Sequence, residues 1–222
     1  AKPLTNPPPL VQERKFLEPN DQSMASAVAM IQKSSKPILV VGLGIFWDAA
    51  HSELVELAEA LGAPVLTTSK CKGAIPEDHP LRAGCIIGGI IERELVNQGD
   101  LIIALGLDPI ELQPKPWPYD IPVLAINSCT DQDALVAQDE ELVGDVGGIL
   151  RTLLRQLRGG GDWGYSVAEK FREDVRCALD VKTRGLSPQR AMEVVRSMTP
   201  RSTLATCDAG ASRLLVVQKW ES

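Results

Sequence analysis

Histidine, paired cysteines, basic clusters and long apolar runs are all scarce in this sequence, and each scarcity closes a class of function. Only 2 histidines occur among 222 residues. No Gly-x-Ser-x-Gly, His-Glu-x-x-His or Gly-x-x-x-x-Gly-Lys-Ser/Thr pattern is present, so serine-hydrolase, zincin and P-loop chemistry have no foothold. Acidic residues outnumber basic ones, 29 to 23, for a formal net charge of -6. No Lys/Arg-rich run offsets that charge, which argues against nucleic acid as a partner. The cysteines, Cys71, Cys85, Cys129, Cys177 and Cys207, are odd in number and never in Cys-x-x-Cys spacing. Neither a disulfide framework nor a metal site is indicated, and reduced thiols are expected. The longest apolar runs, such as Leu101 to Leu105, are strand-sized and far short of a bilayer span, and the proline-rich start lacks a signal-peptide core. No membrane partner and a cytoplasmic location are expected.

What is present is alternation. Residues 1–20, with Pro7-Pro8-Pro9 and no periodicity, read as an extended linker. From Asp21, a plausible N-cap, Met24, Val28 and Ile31 recur on one helical face. Ile38 to Val41 is continuously apolar, as in a strand covered on both faces, and runs through Gly42-Leu-Gly44 into a helix from about Asp48 to Leu61, closed by Gly62. Strands at 64–67, 101–105, 122–126 and 142–143 and helices at 88–97 and 146–157 continue the pattern. Such order predicts an α/β fold, a doubly wound parallel sheet with helices on both faces, over residues 21–158. Gly159-Gly160-Gly161 marks a flexible joint, so 159–186 reads as linker and helix. The sequence then restarts at 187–222, with Ser187-Pro188 opening a helix and Thr203 to Cys207 reading as a strand.

Ligands of such sheets sit beyond the carboxyl ends of the strands, here Gly42 to Gly44, Thr67 to Ser69, Gly106 to Asp108, Asn127 and Gly144 to Val146. Gly42-Leu-Gly44 resembles the start of a dinucleotide fingerprint, but Trp47 stands in place of its third glycine and the second strand ends in Thr67-Thr68 rather than an acid. An ordinary NAD site is disfavoured. Two readings stay open for the glycines: a tight turn, or a diphosphate cradle at a helix start. The polar stretch Thr67 to Gly84 gathers Lys70, Cys71, Lys72, Glu77, Asp78 and His79. His79 precedes Pro80 in an extended His-Pro step, and the simplest reading is a braced surface loop without a catalytic group. Cys71 has no adjoining histidine or second cysteine to activate it.

The order of segments carries a resemblance. Pro37-Ile-Leu-Val-Val-Gly-Leu-Gly44, Glu53 to Thr68, Lys72-Gly-Ala-Ile-Pro-Glu-Asp-His-Pro-Leu81, Asp100-Leu-Ile-Ile-Ala-Leu-Gly106 and Leu142-Val-Gly-Asp-Val146 together resemble the central domain of thiamine-diphosphate-dependent enzymes, acetolactate-synthase-like in particular, over roughly residues 21 to 157. Leu186 to Arg190 and Ala205 to Arg213 are similar to the opening of the family's C-terminal, diphosphate-binding domain, with Asp208 and Gly210 in matching places and Ser212 where a histidine is common.

The resemblance implies the central scaffold of a 2-oxo acid carboligase or decarboxylase, truncated within its C-terminal domain. The parent enzyme would use thiamine diphosphate and Mg2+, the cofactor serving as ylid nucleophile and electron sink. The reaction centre of such enzymes lies between N- and C-terminal domains, so no catalytic residue is expected in this chain, and its partners would be those missing domains within a homo-oligomer. Some branches hold FAD or ADP in the central domain. The positions carried over for that role are Gly42, Gly44, Thr67, Thr68, Gly106, Asn127, Asp145 and Val146. The flavin branches place an arginine and an aromatic-acidic pair after the glycine matching Gly106, whereas Leu107-Asp-Pro-Ile-Glu-Leu112 stands here. FAD, ADP and an empty site all remain open, and an autonomous FAD- or ADP-binding module is the alternative function. A sirtuin-like NAD enzyme on a related sheet is opposed by the lack of zinc-ligand cysteine pairs.

Overall fold

The computed structural model describes residues 18–112, 117–130, 136 and 138–220. The first seventeen residues of the expected linker lie outside that range. The first helix, α1 (Asp21–Lys33), begins one residue earlier than its sequence suggested: Asn20 is the N-cap and accepts from Ser23 N at 2.8 Å. Asp21 sits instead in the first turn, where a negative charge also suits the helix dipole.

Six strands follow: β1 (Pro37–Val41), β2 (Val65–Thr67), β3 (Arg82–Cys85), β4 (Leu101–Leu105), β5 (Val123–Asn127) and β6 (Glu140–Val143). All pair in parallel, in the order β3-β2-β1-β4-β5-β6. The chain therefore reverses direction across the sheet between β1 and β4, which is the topological switch point. Side-chain alternation splits each central strand between two cores. Leu39, Val41, Leu101, Ile103 and Leu105 face one side, with α1, α3 (His51–Leu61) and α5 (Val146–Gln156) over them. Ile38, Val40, Ile102 and Ala104 face the other, under α4 (Ile90–Val96) and α6 (Trp163–Leu179). In α3 the buried residues Leu54, Leu57, Ala58 and Leu61 recur at helical spacing, and Gly62 ends the helix with φ 56°.

Three sequence expectations change. Arg82-Ala-Gly-Cys85, lacking apolar alternation and expected as loop, is an edge strand because α6 covers it. Phe171 lies so close over Gly84 that a Cβ there would stand 2.9 Å from the ring, and Arg172 donates to the carbonyls of Pro80, at 3.1 Å, and Arg82. The Gly159–Gly161 joint is partly packed: Gly160 N donates to Ala60 O at 2.6 Å, and Gly164 N to Gly62 O at 3.0 Å. Gly62 and Gly160 are glycines because two backbones touch there. Finally, Thr203 to Cys207 is not a strand, since no described strand pairs with it. After α7 (Pro188–Met198), capped by Ser187, the chain passes through coil into α8 (Ala211–Lys219).

The last helix returns to the edge strand β3. Val217 and Trp220 are buried, and Gln218 Nε2 donates to Cys85 O at 3.1 Å. Burial of each such side chain is worth about 1.5–3 kcal/mol.

Candidate functional site

The carboxyl-end rim is where a ligand would lie, and its loops leave the sheet already bonded to one another. Gly42 N donates to Leu105 O, Gly44 N to Gly106 O and Gly106 N to Ile126 O, at 2.9, 2.9 and 2.8 Å. Gly106 takes φ 55°, a left-handed conformation that favours glycine. A Cβ on Gly42 would stand 2.5 Å from Gly106 O and 2.8 Å from a Glu111 carboxylate oxygen, and a Cβ on Gly44 would stand 2.6 Å from Gly106 Cα. The three glycines thus open space for each other's backbones. The space where a side chain on Gly42 or Gly44 would stand is filled by the backbone of the β4 loop.

Glu111 completes the closure. It lies in a 3-10 turn, Pro109–Leu112, stabilised by Asp108, whose carboxylate accepts from Ile110 N at 3.0 Å. One Glu111 oxygen accepts from Leu43 N at 2.9 Å and the other from Thr68 Oγ1 at 2.8 Å. Cys71 Sγ donates to Gly42 O at 3.0 Å. Burial, with the Glu111 carboxylate and Cys85 adding to it, pushes the Cys71 thiol up to about 12. Such a thiol is held protonated and inert. Burial likewise raises Cys85, which lies 3.4 Å from Thr67 Oγ1.

The helix expected to receive an anion is also reorganised. The chain after Gly42 makes a single turn, α2 (Gly44–Trp47), then breaks at Ala49, φ 50°, before α3 starts at His51. Ala50, not Asp48, is the N-cap of α3, and no side chain caps that helix. Elsewhere on the rim, Glu92, buried at 3% exposure, accepts from the amides of Ile87, Gly88 and Gly89 at 2.7, 2.7 and 2.9 Å. Asp145 caps α5 by accepting from Gly148 N at 3.0 Å. Arg151 pairs with that same Asp145, at 3.4 Å, and with Glu53.

The sequence-selected positions therefore separate into groups. Gly42, Gly44 and Gly106 touch, and Thr68 joins them through Glu111; Thr67, Thr68 and Asn127 are buried at the ends of β2 and β5, and Val146 is the buried first residue of α5. Asp145 serves as a helix cap. Asp208 and Gly210 are exposed on the coil that leads into α8. The polar stretch after β2 is a brace: Glu77, 4% exposed, pairs with Lys72 at 2.7 Å and with Arg82, and His79 Nε2 lies 3.2 Å from Glu59. Among the described residues no group of three or more His, Cys, Asp or Glu could hold a metal ion, and no helix is long and apolar enough to cross a membrane.

Glu111 and Glu92 carry the rim's polar contacts, yet neither stood out in the sequence. The available signal for Glu111 was Asp108-Pro109, a turn opening, followed by a lone acid beside the switch-point strand.

The family profile described as "Thiamine pyrophosphate enzyme, central domain" matches residues 24–153. The chain belongs to this family. Within it, the chain is 27% identical over 205 residues to the "Probable acetolactate synthase large subunit" of Methanocaldococcus jannaschii, covering 85% of this chain and 34% of that protein. It is 24% identical over 223 aligned residues to the sulfoacetaldehyde acetyltransferase of Roseovarius nubinhibens, covering 86% of this chain and 37% of the relative. The benzoylformate decarboxylase structure from Polynucleobacter necessarius superposes with a TM-score of 0.73 at 19% identity, covering 98% of this chain and 41% of that one, which shows a shared fold. The central domain of a thiamine pyrophosphate enzyme accounts for the parallel sheet and its strand order, and the chain spans between a third and two fifths of the length of these relatives.

Proposed function

We propose that this chain is the central scaffold of an acetolactate-synthase-like carboligase or decarboxylase acting on 2-oxo acids, and that its 222 residues alone do not turn substrate over. The observation that carries the reading is the closed rim. Its glycines meet backbone to backbone, Glu111 and Glu92 accept from its own amides, and Cys71 and Cys85 are buried with their thiols raised, so among these described groups none is an activated nucleophile or base. The family match and the names of the relatives support the reaction class. Thiamine diphosphate with Mg2+ would act where other domains meet this one, Asp208 and Gly210 being the only positions here that resemblance ties to it. Free thiols at all five cysteines suit a cytoplasmic enzyme, and a homo-oligomeric parent belongs to the same reading.

The test is direct. The purified chain, given pyruvate, thiamine diphosphate and Mg2+, is expected to leave pyruvate unchanged, while the full-length parent consumes it. Consumption by the chain alone would contradict the proposal.

A further inference from the structure

The structure assigns Glu111 the place of a nucleotide's diphosphate: an internal anion at the switch point that sets this domain against binding ADP or FAD there. This goes beyond the scaffold reading and does not depend on which reaction the parent catalyses.

At the switch point of a doubly wound sheet, a bound diphosphate accepts hydrogen bonds from the loop that follows the first strand. In this chain the amide of Leu43, in the middle of Gly42-Leu-Gly44, donates to Glu111 Oε2 at 2.9 Å. The hydroxyl of Thr68, at the end of the neighbouring strand, donates to the other oxygen of the same carboxylate at 2.8 Å. One side chain from the β4 loop thus bridges the ends of β1 and β2, using the donors a ligand would seek. Displacing it would leave a buried hydroxyl without its acceptor, a costly outcome in a site that Thr68 occupies at 0% exposure.

Sterics point the same way. On their side-chain side Gly42 and Gly44 are closed by Gly106 and Leu107 backbone, with Gly106 O, Leu107 Cα and Gly106 Cα 2.5–2.6 Å from where a Cβ would stand. Electrostatics agree. Asp108 stands in the same turn as Glu111, and Arg151, in the middle of α5, is paired with Glu53 and Asp145. A diphosphate would meet the Glu111 carboxylate at close range. The glycine pair that looks like a cofactor fingerprint is instead the close-packing half of a self-capped loop.

The experiment compares the wild-type chain with Glu111→Ala and Glu111→Gln by thermal melting at constant ionic strength. Wild type is expected to melt at the same temperature, within about 1 °C, with or without millimolar ADP or FAD. Glu111→Ala should melt roughly 4–8 °C lower, from two lost hydrogen bonds to a charged acceptor. Sodium formate at 100 mM, a free carboxylate, should restore part of that loss relative to sodium chloride. Saturable stabilisation of the wild type by ADP or FAD overturns the proposal, as does a Glu111→Ala melt equal to wild type or identical in the two salts. Should Glu111→Ala not fold, Glu111→Gln decides with the wild-type titration: its melt should fall below wild type, and an unchanged melt counts against the assignment. Nucleotide binding without turnover would defeat this inference and leave the scaffold reading standing; turnover without nucleotide binding would do the reverse.

Discussion

The rim of the sheet and the final helices handle their exposed chemistry in opposite ways. At the rim, amides and hydroxyls that a ligand would ordinarily satisfy are satisfied by Glu111, Glu92 and Asp145, and buried thiols are kept protonated. Along α7 and into α8, Val195, Met198 and Leu214 stay exposed, and Leu204 between them is 93% exposed. The far end of α8 is docked through Val217, Gln218 and Trp220, and the coil before it is tied to the loop after β2 by the Arg201–Asp78 pair at 3.0 Å. The difference teaches where each region's stability comes from. The rim is finished by its own side chains, whereas α7 has no buried residue of its own and gains little from the sheet.

The largest effect should come from breaking the rim's backbone contact. Gly106→Ala places a Cβ 2.7 Å from Gly44 Cα at φ 55°, and is expected to cost about 2–5 kcal/mol by overpacking and left-handed strain together. Gly73→Ala is the control: it has φ 90° but nothing within 4 Å, so only the strain, about 1–2 kcal/mol, should appear in urea unfolding. Equal losses would show that the glycine contact at the rim is unimportant.

The opposite end of the sheet offers a smaller, pH-dependent test. Burial raises the Asp100 carboxyl, but hydrogen bonds from Ser34 Oγ, Ser35 N and Lys36 N outweigh it and hold the group below the usual carboxylate range. Its contribution is therefore complete above the unfolded value near pH 4 and lost as pH falls through the folded value. Asp100→Asn should cost roughly 1 kcal/mol at pH 7, after allowance for solvent screening, with the gap to wild type narrowing as pH falls below about 4. A gap that stays constant as pH falls below about 4 would contradict the charge's role.

Thiol labelling sharpens the comparison without mutation. Cys129, Cys177 and Cys207 are exposed and should react with a disulfide reagent in the folded chain, while buried Cys71 and Cys85 should react only on unfolding. Two slow thiols out of five is the expected count. The smallest effect belongs to α7: Met198→Ser, at a position 80% exposed, should change stability by no more than about 0.5 kcal/mol.

Much of the architecture was legible because buried parallel strands announce themselves. Leu101–Leu105 coincides with β4, and Ser187-Pro188 opens α7 as expected. β3 was hidden because Arg82 and Gly84 break any apolar pattern, and only α6, almost ninety residues later, supplies its cover. Thr203–Cys207 failed for the inverse reason: local composition suited a strand, but a strand needs a neighbour. At the candidate site, the glycines were visible while their purpose was not. Gly42-Leu-Gly44 has the same spelling whether a phosphate or Gly106 lies against it, and the deciding residue, Glu111, lies 68 positions from the Leu43 amide it caps.

The most direct test of a self-filled rim is amide hydrogen exchange at Leu43, Ile87, Gly88, Gly89 and Gly148 in the ligand-free chain, repeated with ADP. The account predicts slow exchange at all of them already, with no change when the nucleotide is added. Fast exchange that becomes slow in the presence of ADP would show donors waiting for a ligand and would contradict it.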